Sequence, residues 1–139
     1  NVMADELFYG GGQFDVYCND KLLPVYQDRP LNRCLVASNA AMFAKNFHGL
    51  QSFINKTLGV RVYGGAGLSM SKVLSGQILA YFSVIYPWDY AAASIMGEKL
   101  GYQLETINGE ALDYSSRQAV MLVPKAKLND IKTIMSSKD

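Results

Sequence analysis

A chain of 139 residues, 50% apolar and 18% charged, has the length of one domain and can bury roughly 70% of its unfolded surface. Its net charge of +1, without a Lys/Arg cluster, argues against a nucleic-acid footprint, and no apolar run nears the roughly 20 residues of a membrane span. Charge falls below the roughly 25% of an average soluble domain, which points to a face normally covered.

The first elements read as an antiparallel meander. Glu6–Tyr9, the turn Gly10-Gly11-Gly12, and Phe14–Cys18 form strand, hairpin and strand, and Asn19-Asp20 turns into Leu22–Val25. Arg33–Ala37 is a short apolar strand ended by Ser38-Asn39, both good helix caps. Phe43, Phe47, Leu50 and Ile54 then predict one helix with a single buried stripe, closed by Gly59. Val60–Tyr63 is a strand running into Gly64-Gly65-Ala66-Gly67, followed by a helix with Met70, Val73 and Leu74 on one side and Gly76 as its stop.

Ile78–Val84 is a further strand. The helix from about Trp88 to Leu100 carries Trp88, Ala91, Ala92, Ile95 and Met96 at helical spacing, and Gly101 ends it. Gln103–Thr106 turns through Asn108-Gly109, and Ala119–Val123 is the last strand. Pro124 opens a final helix with Leu128, Ile131, Ile134 and Met135 inward. Alternating strands and helices predict an α/β fold, a layered α-β-α domain with a mixed sheet spanning 1–139.

Chemistry concentrates at two strand-to-helix turns. Pro87-Trp88-Asp89-Tyr90 places a carboxylate at a helix start beside the only tryptophan. Unpaired N–H groups and the peptide dipoles favour an anion there, and an ionised, rigidly aimed Asp suits a hard cation. An Asp in that place is ordinarily a cap or a dipole partner. Gly64-Gly65-Ala66-Gly67 lets a ligand approach backbone N–H groups, although such glycines more often serve packing or a positive φ. It lacks the Lys and the spacing of a phosphate loop. One strand–helix–strand excursion separates the two turns, so both return to one sheet edge, where α/β sites gather.

The remaining candidates read as structural. His48 is the single histidine, falls off the apolar stripe and is expected at solvent, which excludes a histidine metal site or triad. Cys18 and Cys34 have no metal spacing and no signal peptide is visible, so free thiols in a reducing cytoplasm are expected. Asp15 and Asp28 read as solvated turn residues, and the nine tyrosines as core and cross-strand packing.

Gly64-Gly65-Ala66, then Ile78–Phe82, then Pro87-Trp88-Asp89-Tyr90-Ala91-Ala92, in that order and spacing, resemble the second half of the inositol monophosphatase family. Asp5–Gly12 through Leu23, and Leu100-Gly101 through Arg117 to Leu122, follow the same pattern. Trp-Asp-x-Ala is the specific part. The resemblance implies a C-terminal half of a layered αβαβα fold in a magnesium-dependent, lithium-sensitive phosphomonoesterase. It implies that Asp89 binds catalytic Mg²⁺, and that Gly64, Gly65 and Ala66 touch the alcohol portion of the substrate through backbone groups.

Two departures stand out. The family's earlier Glu and its Asp-Pro-x-Asp-Gly-Thr motif are not in this sequence. Ser83 stands where inositol-specific members place an acidic residue, so it joins the substrate-facing set, and a sugar, inositol or nucleotide phosphate is the expected substrate.

Phosphomonoester hydrolysis demands accelerations up to ~10²¹-fold, whereas a lone positioned acid or base supplies about 10²–10⁴. One Asp cannot organise that site. The chain is therefore expected to be a folded piece without turnover and without a catalytic residue of its own. Its expected partners are a small phosphorylated substrate and the absent N-terminal half, not nucleic acid or membrane. An apolar face or sheet edge left open predicts homo-oligomers. The alternative is a non-catalytic binding or regulatory domain that kept the scaffold.

Overall fold

The computed structural model describes residues 7–44, 47–63 and 65–136. It opens with a small antiparallel sheet in the order β1-β2-β3, made of β1 (Phe8–Gly11), β2 (Phe14–Cys18) and β3 (Lys21–Leu22). Asn19 and Asp20 adopt φ of 49° and 66°, the left-handed pair that a tight hairpin needs. The third strand is shorter than expected, because Pro24 cannot donate to a ladder.

The second sheet has five strands in the order β5-β4-β6-β8-β7. β4 (Leu35–Ser38) pairs in parallel with β5 (Gly59–Arg61) and β6 (Ala80–Ile85). β8 (Gln118–Pro124) runs antiparallel to β6 and to β7 (Tyr102–Thr106). This is the mixed sheet expected from the sequence.

Alternation along β6 assigns its two faces. Tyr81, Ser83 and Ile85 point toward α3 (Ala66–Leu74) and α4 (Pro87–Leu100); Phe82 points toward the opposite layer. On the first side Met70, Val73 and Leu74 of α3 and Tyr90, Ala93 and Leu100 of α4 share a core with Tyr81, Leu104 and Leu122. Val16 and Leu23 of the small sheet join that core, so α3 and α4 lie between the two sheets. On the other side Leu50, Phe53 and Ile54 of α2 (Leu50–Ile54) and Ile131 and Met135 of α5 (Leu128–Ser136) pack on Val36, Phe82 and Met121.

One expectation is corrected. The single helix expected after Asn39 is instead α1 (Ala40–Ala44), a tight 3₁₀ turn at Phe47–Gly49, and α2. His48 and Gly49 adopt left-handed φ of 48° and 81°, and a right-handed helix cannot pass through two such residues. Gly49 also approaches α5: a Cβ there would lie 2.0 Å from the Met135 carbonyl oxygen. Gly59 opens β5 rather than closing a helix.

The helix expected from about Trp88 to Leu100 is present as α4, and packing assigns its faces. Its buried side is Tyr90, Ala93, Gly97 and Leu100, whereas Trp88, Ala91, Ala92 and Ile95 are exposed. Four of the five apolar residues picked out in the sequence thus lie on the open face, while Met96 packs against the core. At Gly11 the small sheet presses against that open face, close to Ile95.

Candidate functional site

The parallel strands β4 and β6 end at the same sheet edge, where α/β ligand sites collect. Asn39 follows β4, its side-chain Oδ1 accepting the Met42 amide at 2.8 Å as the cap of α1. Its Nδ2 donates to Ser83 Oγ on β6 at 3.4 Å. The Tyr81 hydroxyl, two residues earlier on the same face, lies beside the side chains of Ser69 and Ser83. Burial pushes its pKa up, and the charge of nearby Asp89 acts in the same direction.

Ser69 carries this network to the glycine turn. Its hydroxyl donates to the Gly65 carbonyl at 3.1 Å, one turn back along α3. Gly65 is the residue before α3, is exposed, and has extended backbone at φ −161°. Glycine is not needed there for conformation. It leaves space, since a Cβ on Gly65 or Gly67 would meet nothing within 4 Å. Ala66 is half-buried against the core, and α3 begins without a side-chain cap. Its first N–H groups are accordingly open to a ligand.

Asp89 is the third residue of α4 and is exposed. Its Oδ2 accepts the backbone N–H of Tyr86 at 3.3 Å, the reciprocal half of a capping box. A cleft of about 250 Å³ separates the starts of α3 and α4, with Gly67, Met70, Ala92 and Asp89 in its walls and Leu7 and Phe8 of the small sheet at one side. The structure therefore brings Asp89, Gly65, Ala66 and Ser83 to one edge. Gly64 lies outside the described residues.

Ser83 is not open to that cleft. It is 3% exposed and serves the Asn39–Ser83–Tyr81 network. Tyr81 and Ser69 were missed from sequence, although a Tyr and a Ser two apart in the apolar strand Ala80–Ile85 signalled a polar face.

No group of three or more His, Cys, Asp or Glu side chains able to hold a metal exists among the described residues. Asp89 therefore suits one position of a hard cation's oxygen shell and cannot complete it.

The sequence profile of the inositol monophosphatase family matches residues 1–137. An inositol-1-monophosphatase of Bacillus subtilis (strain 168) is 29% identical over 126 residues, covering 87% of this chain and 48% of that protein. A putative Nus factor SuhB of Neisseria meningitidis serogroup B is 28% identical over 148 residues, covering 96% and 57%. Inositol monophosphatase-II from Staphylococcus aureus MSSA476 superposes with a TM-score of 0.84 at 24% identity, over 95% of this chain and 51% of that one. The chain thus spans about half the length of the relatives it matches. The glycine turn, the Trp-Asp helix start, the mixed sheet and the match along nearly the whole sequence converge: this chain belongs to the inositol monophosphatase family.

Proposed function

We propose that the chain is the C-terminal half of a magnesium-dependent phosphomonoesterase that acts on a small sugar, inositol or nucleotide phosphate. The observation that carries this reading is the placement of Asp89. It is exposed at the third position of α4, across a cleft from the uncapped start of α3. Asp89 would contribute one carboxylate to Mg²⁺, the other ligands coming from the missing half, the phosphate and water. Bound Mg²⁺ supplies charge neutralisation at phosphoryl oxygens and a more acidic water. The backbone at Gly64, Gly65 and Ala66 would orient the alcohol portion of the substrate. The hydroxyl network from Ser69 to Ser83 would hold that turn at its distance from Asp89. Lithium sensitivity and a cytoplasmic location go with the same reading.

With one carboxylate, the chain alone should not turn over substrate. A steady-state assay with Mg²⁺ and several phosphomonoesters tests this, and clear turnover would overturn the division of labour. Sequence upstream of Asn1 tests the reading itself: it should carry the Glu and the Asp-Pro-x-Asp-Gly-Thr motif.

A second reading is a regulatory domain that retains the scaffold without hydrolysis. It is favoured by the lone carboxylate and by the relative named a putative Nus factor. Upstream sequence without the acidic motifs would select it.

A further inference from the structure

A second cleft, of about 290 Å³, opens at the far ends of the two helices whose starts flank Asp89. Pro24, Val25, Tyr26, Arg29, Gly76 and Tyr102 line it. At about 1.5 Å of rise per residue, the run of α4 from Asp89 to Leu100 sets the two clefts roughly 17 Å apart. The stretch after β3 is tied to both helix stops. Tyr26 N–H donates to the Leu100 carbonyl at 2.7 Å, and a terminal nitrogen of Arg29 donates to the Gly76 carbonyl at 3.2 Å. The second contact covers the negative end of α3.

Two charged side chains line this cleft, and only one is neutralised. Asp28 Oδ1 lies 3.1 Å from Lys127 Nζ and accepts the Tyr26 hydroxyl at 2.9 Å. Arg29 enters neither ion pair found among the described residues. Its charge reaches the phenol of Tyr102, which is 2% exposed and whose hydroxyl no hydrogen bond engages among the described residues. The cleft therefore holds a surplus of donors, a guanidinium fork and a phenol. Beside them lie Pro24, Val25 and the rings of Tyr26 and Tyr102, which meet edge-on with centroids 5.6 Å apart.

A planar fork next to aliphatic and aromatic walls is the chemistry that recognises a carboxylate carried on an apolar body. One uncommitted positive charge matches a monoanion. A phosphate dianion would keep an unmatched charge beside Asp28. We propose that this cleft binds a small organic monocarboxylate, with its oxygens on Arg29 and Tyr102 and its apolar body against Val25 and Tyr26. This is a site separate from Asp89, and it stands independently of the phosphomonoesterase reading.

The chain is followed by ¹H–¹⁵N NMR while benzoate, its neutral isostere benzamide and inorganic phosphate are added in turn. Benzoate is expected to shift the resonances of Arg29, Gly76 and Tyr102 saturably and to bind about tenfold more tightly than benzamide. Arg29→Gln should erase that preference, and Arg29→Lys, which keeps the charge without the fork, should keep part of it. Tyr102→Phe should weaken benzoate about threefold. Equal binding of benzoate and benzamide by the native chain overturns the carboxylate site, as does phosphate displacing benzoate from the same resonances. Benzoate shifts confined to the starts of α3 and α4 would place the acid at Asp89 and overturn the second site. Absence of any saturable shift would overturn it outright.

Discussion

The carboxylate of Asp89 turns back on its own helix start, Oδ2 lying 3.3 Å from the backbone nitrogen of Tyr86. The residue proposed above as a cation ligand thus also closes the first turn of α4. Capping and ligation draw on the same property, an ionised oxygen pair fixed at the positive end of the peptide dipoles.

These two roles can be separated. Asp89→Asn keeps an acceptor for the Tyr86 amide and should leave stability nearly unchanged, whereas Asp89→Ala should cost about 1 kcal/mol in urea unfolding. Both should abolish any Mg²⁺-dependent enhancement of phosphate binding. If the Asn variant retains that enhancement, Asp89 is a cap and nothing more.

Gly49 provides a test of the broken helix. Its φ of +81° and the Met135 carbonyl oxygen 2.0 Å from a built Cβ leave no room for a side chain. Gly49→Ala is expected to lose more than about 2 kcal/mol by equilibrium denaturation. A loss under about 0.5 kcal/mol would mean that α2 and α5 do not meet there.

Alkaline stability should follow the buried tyrosines. Burial holds the Tyr102 phenol up to about 12, from an ordinary value of 10.0, and raises Tyr81 and Tyr90 in the same direction. A raised folded pKa contributes stability that is complete below 10.0 and is lost as pH climbs toward 12. Unfolding should therefore be promoted above pH 10, with late phenolate absorbance, and Tyr102→Phe should flatten this limb. Early, fully reversible ionisation of every tyrosine would contradict it.

The acid limb has the opposite sign. Lys127, at 3.1 Å, and the Tyr26 hydroxyl, at 2.9 Å, hold the exposed Asp28 carboxyl below its ordinary 3.8. Its contribution is present above 3.8 and is lost as pH falls through the lower folded value. Asp28→Asn should remove that part of the acid sensitivity, and salt should mimic the substitution. An unchanged acid profile in the variant would show that the pair contributes nothing.

The open face of α4 makes a prediction about association. Trp88, Ala91, Ala92 and Ile95 form an exposed apolar strip on α4. Self-association at high concentration is expected in sedimentation, weakened by Ile95→Lys. A clean monomer throughout would show that the strip is tolerated in water.

Much of the architecture could be read from residue order alone. The meander, the mixed sheet and the helix stops at Gly76 and Gly101 follow from local rules: strand alternation, turn residues and a left-handed glycine, with φ of 81° and 92° at the two stops. Asp89 was legible for the same reason, because helix starts select acidic residues through interactions within a single turn.

What periodicity could not supply was direction. Trp88, Ala91, Ala92 and Ile95 have the spacing of a buried stripe, yet the packed face runs through Tyr90, Ala93, Gly97 and Leu100. An alanine-rich helix, apolar nearly all round, carries little information about which side meets the core; contacts with β7, β8 and α3 settle it. The Asn39–Ser83–Tyr81–Ser69 network was equally hidden. Its members come from one strand, a cap and a helix, up to 44 positions apart, and the parallel pairing of β4 with β6 brings the cap and the strand together. Local sequence thus determined which residues begin and end each element, because those forces act within a turn. Tertiary packing decided which surfaces stay open and which hydroxyls meet beneath the glycine turn, because those contacts exist only once distant strands have paired.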